Sequence, residues 1–284
     1  MRSEQEMMKL FIDFAANDER IRLVTLEGSR TNPNITPDKF QDYDISYFVT
    51  DMESFKATDQ WLQAFGKRAM MQKPEDMELF SPELGNWFSY LILFEDGNKL
   101  DLTLIPIDEV DGYFAASDGL VEVVLDKDKL IRNKPIASDR QYWIKKPTAK
   151  EFDDCCNEFW MVSTYVVKGL ARKEILFAID HLHEIARPNL LRMMAWRIGS
   201  EQGYTFSLGK NYKFIDRYLP EEDWEELVST YTENGYPEMW QSLFTCYGLF
   251  RKYSKAVAEA LGYPYPDYDE AVTNYTNNVY RSLS

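Results

Sequence analysis

Cysteine is nearly absent: three residues in 284, two of them neighbours (Cys155 and Cys156) and the third distant at Cys246. That number and spacing exclude a disulfide framework and predict a reduced, cytoplasmic protein with core-facing thiols. Histidine is scarcer still, with only His181 and His183. On a helix, positions i and i+2 lie roughly 200° apart, so the two cannot share one zinc ion. No run approaches the roughly 18 uninterrupted apolar residues of a membrane span. The first residues, Met-Arg-Ser-Glu-Gln-Glu-Met-Met, lack the apolar centre and cleavage site of a secretory signal, and no membrane partner is expected. Basic charge is in deficit: 32 Lys and Arg stand against 47 Asp and Glu, a formal net charge of −15. Proteins that grip a nucleic-acid backbone usually present a basic face, so no nucleic-acid partner is expected either. Internal repeats and low-complexity segments are missing, and a monomer is expected.

What is present is a core-forming composition, 45% hydrophobic and 15% aromatic, enough for one large domain or two ordinary ones. The pattern changes character near Lys145-Lys146-Pro147. Before it, apolar periodicity predicts a helix over 3–17, strands over 21–27 and 42–49, and a helix over 52–65. A hairpin follows over 86–105, turning at Asp96-Gly97, and then a strand over 120–125. After it, long helices are expected at 148–171, 174–199 (broken near Pro188), 209–218, 221–233, 237–261 and 267–282. The expected class is α+β: a mixed-sheet domain over 1–147, then an all-helical domain over 148–284. Trp87, Trp160 and Trp196 are expected in the core, with a cleft wall as the alternative.

Three polar features interrupt the first half. Gly28-Ser29-Arg30 follows the first strand; a Gly-Ser turn at a strand end presents backbone N–H groups to phosphate, and Arg30 adds a cation for a triphosphate. Asp42 and Asp44 are spaced to project from one face of the second strand. Two carboxylates 4 Å apart repel by about 4 kcal/mol at an effective dielectric near 20, which a divalent cation relieves. Oxygen-only ligation suits Mg²⁺. Asp101 is the third: in the second hairpin arm Leu100, Leu102 and Leu104 face one way, while Lys99, Asp101 and Thr103 face the other. Each feature alone is ordinary, a turn or a solvated strand edge. Together they read as a nucleotide and metal site.

Gly28-Ser29, a spacer, Asp42-Tyr43-Asp44 and the later Asp101 resemble the nucleotidyltransferase superfamily in both motif and order. Leu26-Glu27-Gly28-Ser29-Arg30, Asp42-Tyr43-Asp44-Ile45 and the stretch from Lys99 to Pro106 are similar to the aminoglycoside 6-adenylyltransferases. So are Ile179-Asp180-His181-Leu182 and Arg187-Pro188-Asn189-Leu190-Leu191-Arg192-Met193-Met194-Ala195-Trp196, and the resemblance spans both halves. It implies a polymerase β-like nucleotidyltransferase domain followed by a helical substrate-binding domain, with ATP as co-substrate and Mg²⁺ as the metal. The implied reaction transfers AMP to a hydroxyl of a cationic aminoglycoside, streptomycin foremost, with two ions held by Asp42, Asp44 and Asp101. Asp180 is the implied carboxylate base. Lys168, on a polar face of the first helix of the second half, is a candidate for the triphosphate. Under this reading the acidic balance has a use, since carboxylates near a cleft pair with guanidinium groups. Two rivals stand beside it: the same chemistry on a protein or RNA end, and a nucleotide-sensing module without turnover.

Overall fold

The computed structural model describes residues 1–283. The chain divides into two compact units, Met1–Gln141 and a second from Tyr142 onward. No helix among the described residues is long and apolar enough to cross a membrane.

The first unit is built on a six-stranded mixed sheet. Its strands are β1 (Ile21–Glu27), β2 (Tyr43–Val49), β3 (Arg68–Gln72), β4 (Phe88–Phe94), β5 (Lys99–Pro106) and β6 (Val121–Asp126), in the order β3-β4-β5-β2-β1-β6. Neighbours run antiparallel except β2 and β5, which are parallel. A parallel pair needs a crossover, and residues 50–98 supply it with α2 (Met52–Lys56), β3 and β4. One face of the sheet buries Tyr43, Ile45 and Tyr47 of β2 with Leu100, Leu102 and Leu104 of β5 beneath α1 (Glu4–Asn17). That helix contributes Met7, Phe11 and Ala15, fully buried at a helical spacing, and begins with a capping box between Ser3 and Glu6.

The opposite face is graded. Its first row, Leu23–Phe48–Ile105, is apolar and packs with Tyr113 of α3 (Val110–Ala116). The second row, Thr25–Ser46–Thr103, carries hydroxyls, and the third, Glu27–Asp44–Asp101, carries carboxylates. Each row runs across β1, β2 and β5 in register, so the two-residue period of three strands delivers the charged groups to one edge.

The second unit is helical: α4 (Ala149–Ala171), α5 (Ile175–His181), α6 (Arg187–Gln202), α7 (Glu221–Ser229), α8 (Tyr236–Leu261) and α9 (Tyr268–Ser282). They share one core in which Phe159 of α4 stacks on Phe250 of α8, with ring centroids 3.7 Å apart, and Trp160 is buried beside them. The mixed sheet and the helical second unit agree with the expected class.

Several expected elements differ in detail. The helix expected over 52–65 is α2 followed by a separate 3₁₀ segment, Gln60–Phe65. The one expected over 174–199 is divided by a π-turn at Leu182–Ala186, just ahead of Pro188, whose missing N–H is harmless in the first turn of α6. Residues 209–218 form two short 3₁₀ turns, since Asn211 and Tyr212 adopt φ of 55° and 58°, which no right-handed helix accommodates. β3 and α3 were not expected from the sequence.

Candidate active site

β1 ends at Glu27 and the chain turns at Gly28, whose φ of +69° lies in the left-handed region that favours glycine. A Cβ at this position would also run into the Asp44 carboxylate. The turn is tied down by Gly28 N–H donating to Leu120 O (2.9 Å) and by the Thr31 hydroxyl donating to Gly28 O (3.0 Å). Ser29 lies in a single 3₁₀ turn, Gly28–Arg30, and its carbonyl accepts from the Gln41 side chain.

Arg30, expected as a triphosphate contact, is engaged with protein groups. Its guanidinium donates to the carbonyls of Asp42 (2.9 Å) and Gln41 (2.7 Å), pairs with Glu4 (3.1 Å), and lies 3.7 Å from the Tyr43 ring centroid. With only 5% of its side chain exposed, it braces the 31–42 loop against β2 and has few donors left to offer a ligand.

The carboxylates gather at the edge the register sets. Asp44 and Asp101 are cross-strand partners on β2 and β5, and Asp42 sits one residue before β2. Lys99, two residues before Asp101 on the same face, donates to Asp42 Oδ2 (2.7 Å) and Asp101 Oδ2 (2.8 Å). Burial works against that ammonium, but its bonds to Asp101 and Asp42 outweigh burial and hold it above its ordinary range. Asp44 moves furthest: burial first, then the charges of Asp101, Glu27 and Asp42, push its carboxyl up to about 7 against the pull of Lys99.

Glu27 is the residue the sequence reading missed. Thr25 Oγ1 donates to it at 2.7 Å, and Ser46 and Tyr113 also bond to its carboxyl. Burial raises it despite those bonds. Its place at the end of a strand, one residue before the Gly-Ser turn and in phase with Thr25, was the available signal. Glu27, Gly28 and Asp44 open into a cavity of about 460 Å³ walled by Trp87 and Tyr113. Trp87 is thus a wall, with its indole N–H donating to Glu109 (2.6 Å).

The remaining candidates stand in the second unit. Asp180, near the end of α5, is 70% exposed. Lys168, on the exposed side of α4, lies over the Tyr165 ring at 4.4 Å. Gly169 lets α5 approach α4 closely, since a Cβ there would meet the Ala178 methyl at 3.0 Å. The histidines have separate partners: His181 Nδ1 meets Phe177 O at 2.9 Å, and His183 Nε2 meets Glu233. Cys155 and Cys156 are buried thiols, pushed up to about 12 and beyond by burial. Trp160 belongs to the core, whereas Trp196 reaches the wall of a groove of about 630 Å³ with Asp154, Glu158, Glu184 and Arg192.

A family model for streptomycin adenylyltransferase matches residues 1–279. The chain belongs to that family. It is 77% identical over 283 residues to an aminoglycoside 6-adenylyltransferase of Bacillus subtilis (strain 168), covering all of both chains. It is 58% identical over 275 residues to one of Campylobacter jejuni, covering 97% of this chain and 95% of that one. The crystal structure of an aminoglycoside 6-adenyltransferase from Bacillus subtilis matches with a TM-score of 0.50 and 72% identity, covering 99% of each chain.

Membership of an adenylyltransferase family implies ATP and a divalent cation, and the residues at the strand edge fit such a cation. The donors are all carboxylate oxygens, the set a hard cation selects. Asp101 Oδ1 is buried without a hydrogen-bond partner, a costly condition that a cation removes. As they stand, no three His, Cys, Asp or Glu among the described residues close to metal-holding distance. Lys99 instead draws Asp42 and Asp101 to itself.

Proposed function

We propose that the chain transfers the adenylyl group of ATP to a hydroxyl of streptomycin and so inactivates the drug in the cytoplasm. The observation that carries this reading is the row Asp44–Asp101 beside the Gly28 turn, in a chain similar along its whole length to named aminoglycoside 6-adenylyltransferases. The first domain, residues 1–147, is the nucleotidyltransferase half, and residues 148–284 bind the acceptor.

Each residue then has a task. The Gly28–Ser29 backbone cradles phosphate, and Lys168 neutralises part of the triphosphate. Asp42, Asp44 and Asp101 would hold two Mg²⁺ ions, which would neutralise the negative charge of the reacting phosphate. Asp180 accepts the proton of the acceptor hydroxyl as its oxygen bonds to the α-phosphorus and the bond to pyrophosphate breaks. Asp154, Glu158 and Glu184 line one groove, and their carboxylates suit the guanidinium groups of streptomycin, with the Trp196 face as a platform.

The test is to incubate purified protein with ATP, Mg²⁺ and streptomycin, measure pyrophosphate release and weigh the drug by mass spectrometry. The expected result is one pyrophosphate released for each drug molecule that gains one AMP. Absence of product across a broad panel of aminoglycosides sinks the reading, and ATP binding without pyrophosphate for any acceptor favours a sensing module.

A further inference from the structure

Lys99 has a part in this edge that no motif requires. It opens β5, shares a face with Asp101, and bonds to one oxygen of Asp42 at 2.7 Å and one of Asp101 at 2.8 Å. We propose that Lys99 is a built-in counterion that a divalent cation must displace, so that this side chain sets the metal concentration at which the site loads.

The argument starts from charge. Glu27, Asp42, Asp44 and Asp101 crowd one sheet edge, and the nearest compensating charge reaching Asp42 and Asp101 is the Lys99 ammonium. Like charges in register on adjacent strands destabilise a sheet, so the lysine keeps the strands paired before any ion arrives. A divalent ion at the same oxygens meets a positive charge within bonding distance of two of its ligands, and the two repel. The lysine head has somewhere to go, since 39% of its side chain is exposed and four methylenes give it reach. It also leaves part of the site ready: it occupies Asp101 Oδ2, while Asp101 Oδ1 stays buried without a partner.

The proposal rests on the metal reading of the site and not on the identity of the acceptor, and its test contains neither ATP nor drug. Mn²⁺ is titrated into the wild type, K99M and K99R, with free Mn²⁺ followed by electron paramagnetic resonance. K99M is expected to bind Mn²⁺ about tenfold or more tightly than wild type, the effect of losing one unit charge at this range, while K99R stays close to wild type. Without metal, K99M is expected to melt below wild type, and Mn²⁺ is expected to raise its melting temperature by more. Should K99M not fold, K99Q carries the same expectation. Equal or weaker Mn²⁺ binding by the folded neutral variant overturns the role of Lys99. Binding by neither protein overturns the metal assignment and this proposal with it, while leaving AMP transfer to be judged by the mass of the drug.

Discussion

The two units carry candidate groups in opposite settings. In the first, Glu27, Asp44 and Asp101 sit side by side on paired strands, and Asp44 is displaced from its ordinary range by burial first and by that company second. In the second, Asp180 and Lys168 stand exposed on separate helices. Strand pairing brings like charges close enough to couple, so each carboxylate at the edge depends on the others. An exposed helix position imposes no such coupling. A substitution at the edge therefore changes chemistry and stability together, whereas one on the helices changes chemistry alone.

Asp44→Asn tests the first half of that contrast most severely. Turnover is expected to fall by about 10²–10³-fold or more, the scale of losing one preorganised electrostatic contact at the reacting centre. The melting temperature near neutral pH is expected to rise, because a neutral amide removes a buried charge and its repulsion from Asp101, Glu27 and Asp42. A collapsed fold would mark Asp44 as a structural carboxylate instead of a metal ligand. Asp180→Asn is expected to lower kcat by about 10²-fold, the lower range for a general base, with stability unchanged within about 0.5 kcal/mol. Lys168→Ala is milder, raising KM for ATP about tenfold, the loss of one charge-assisted contact. If either helix substitution shifts the melting temperature as much as Asp44→Asn does, the contrast between the units fails.

The smallest effect is on the pH dependence of stability. Asp44 is pushed up to about 7, so the folded protein binds its proton more tightly than the unfolded chain does. Stability from this group is full at low pH and is lost as pH rises from its ordinary range through about 7. Glu27 is raised by burial and acts in the same direction. In metal-free protein the melting temperature of Asp44→Asn is expected to vary less than that of wild type between about pH 5 and pH 8. Equal slopes would show that Asp44 is not shifted.

Much of the first unit was legible in the sequence because its strands carry their period openly. Leu100, Leu102 and Leu104 announce a buried face, and Asp101 between them announces a polar one. Asp96-Gly97 marked the hairpin turn. β3, Arg-Ala-Met-Met-Gln, has no β-branched residue and is half exposed, so it becomes a strand through pairing with β4 and not through propensity. The protein partners of Arg30 were hidden for a related reason: a cation beside a phosphate turn suggests a ligand, and the Gln41 and Asp42 carbonyls it holds come from a loop whose return path no local pattern discloses. Glu27 was overlooked because its importance lies in what stands opposite it, and register between distant segments is invisible until the sheet is assembled.

The graded face of the sheet also acts as a fidelity check on folding. A slip of one residue between β2 and its neighbours would exchange Asp44 and Ser46 for Tyr43 and Ile45, driving carboxylates beneath α1 and leaving aromatic rings in water. No misregistered sheet could keep both its core and its acidic edge. Proofreading of the strand alignment is thus written into the same residues proposed to carry out the reaction.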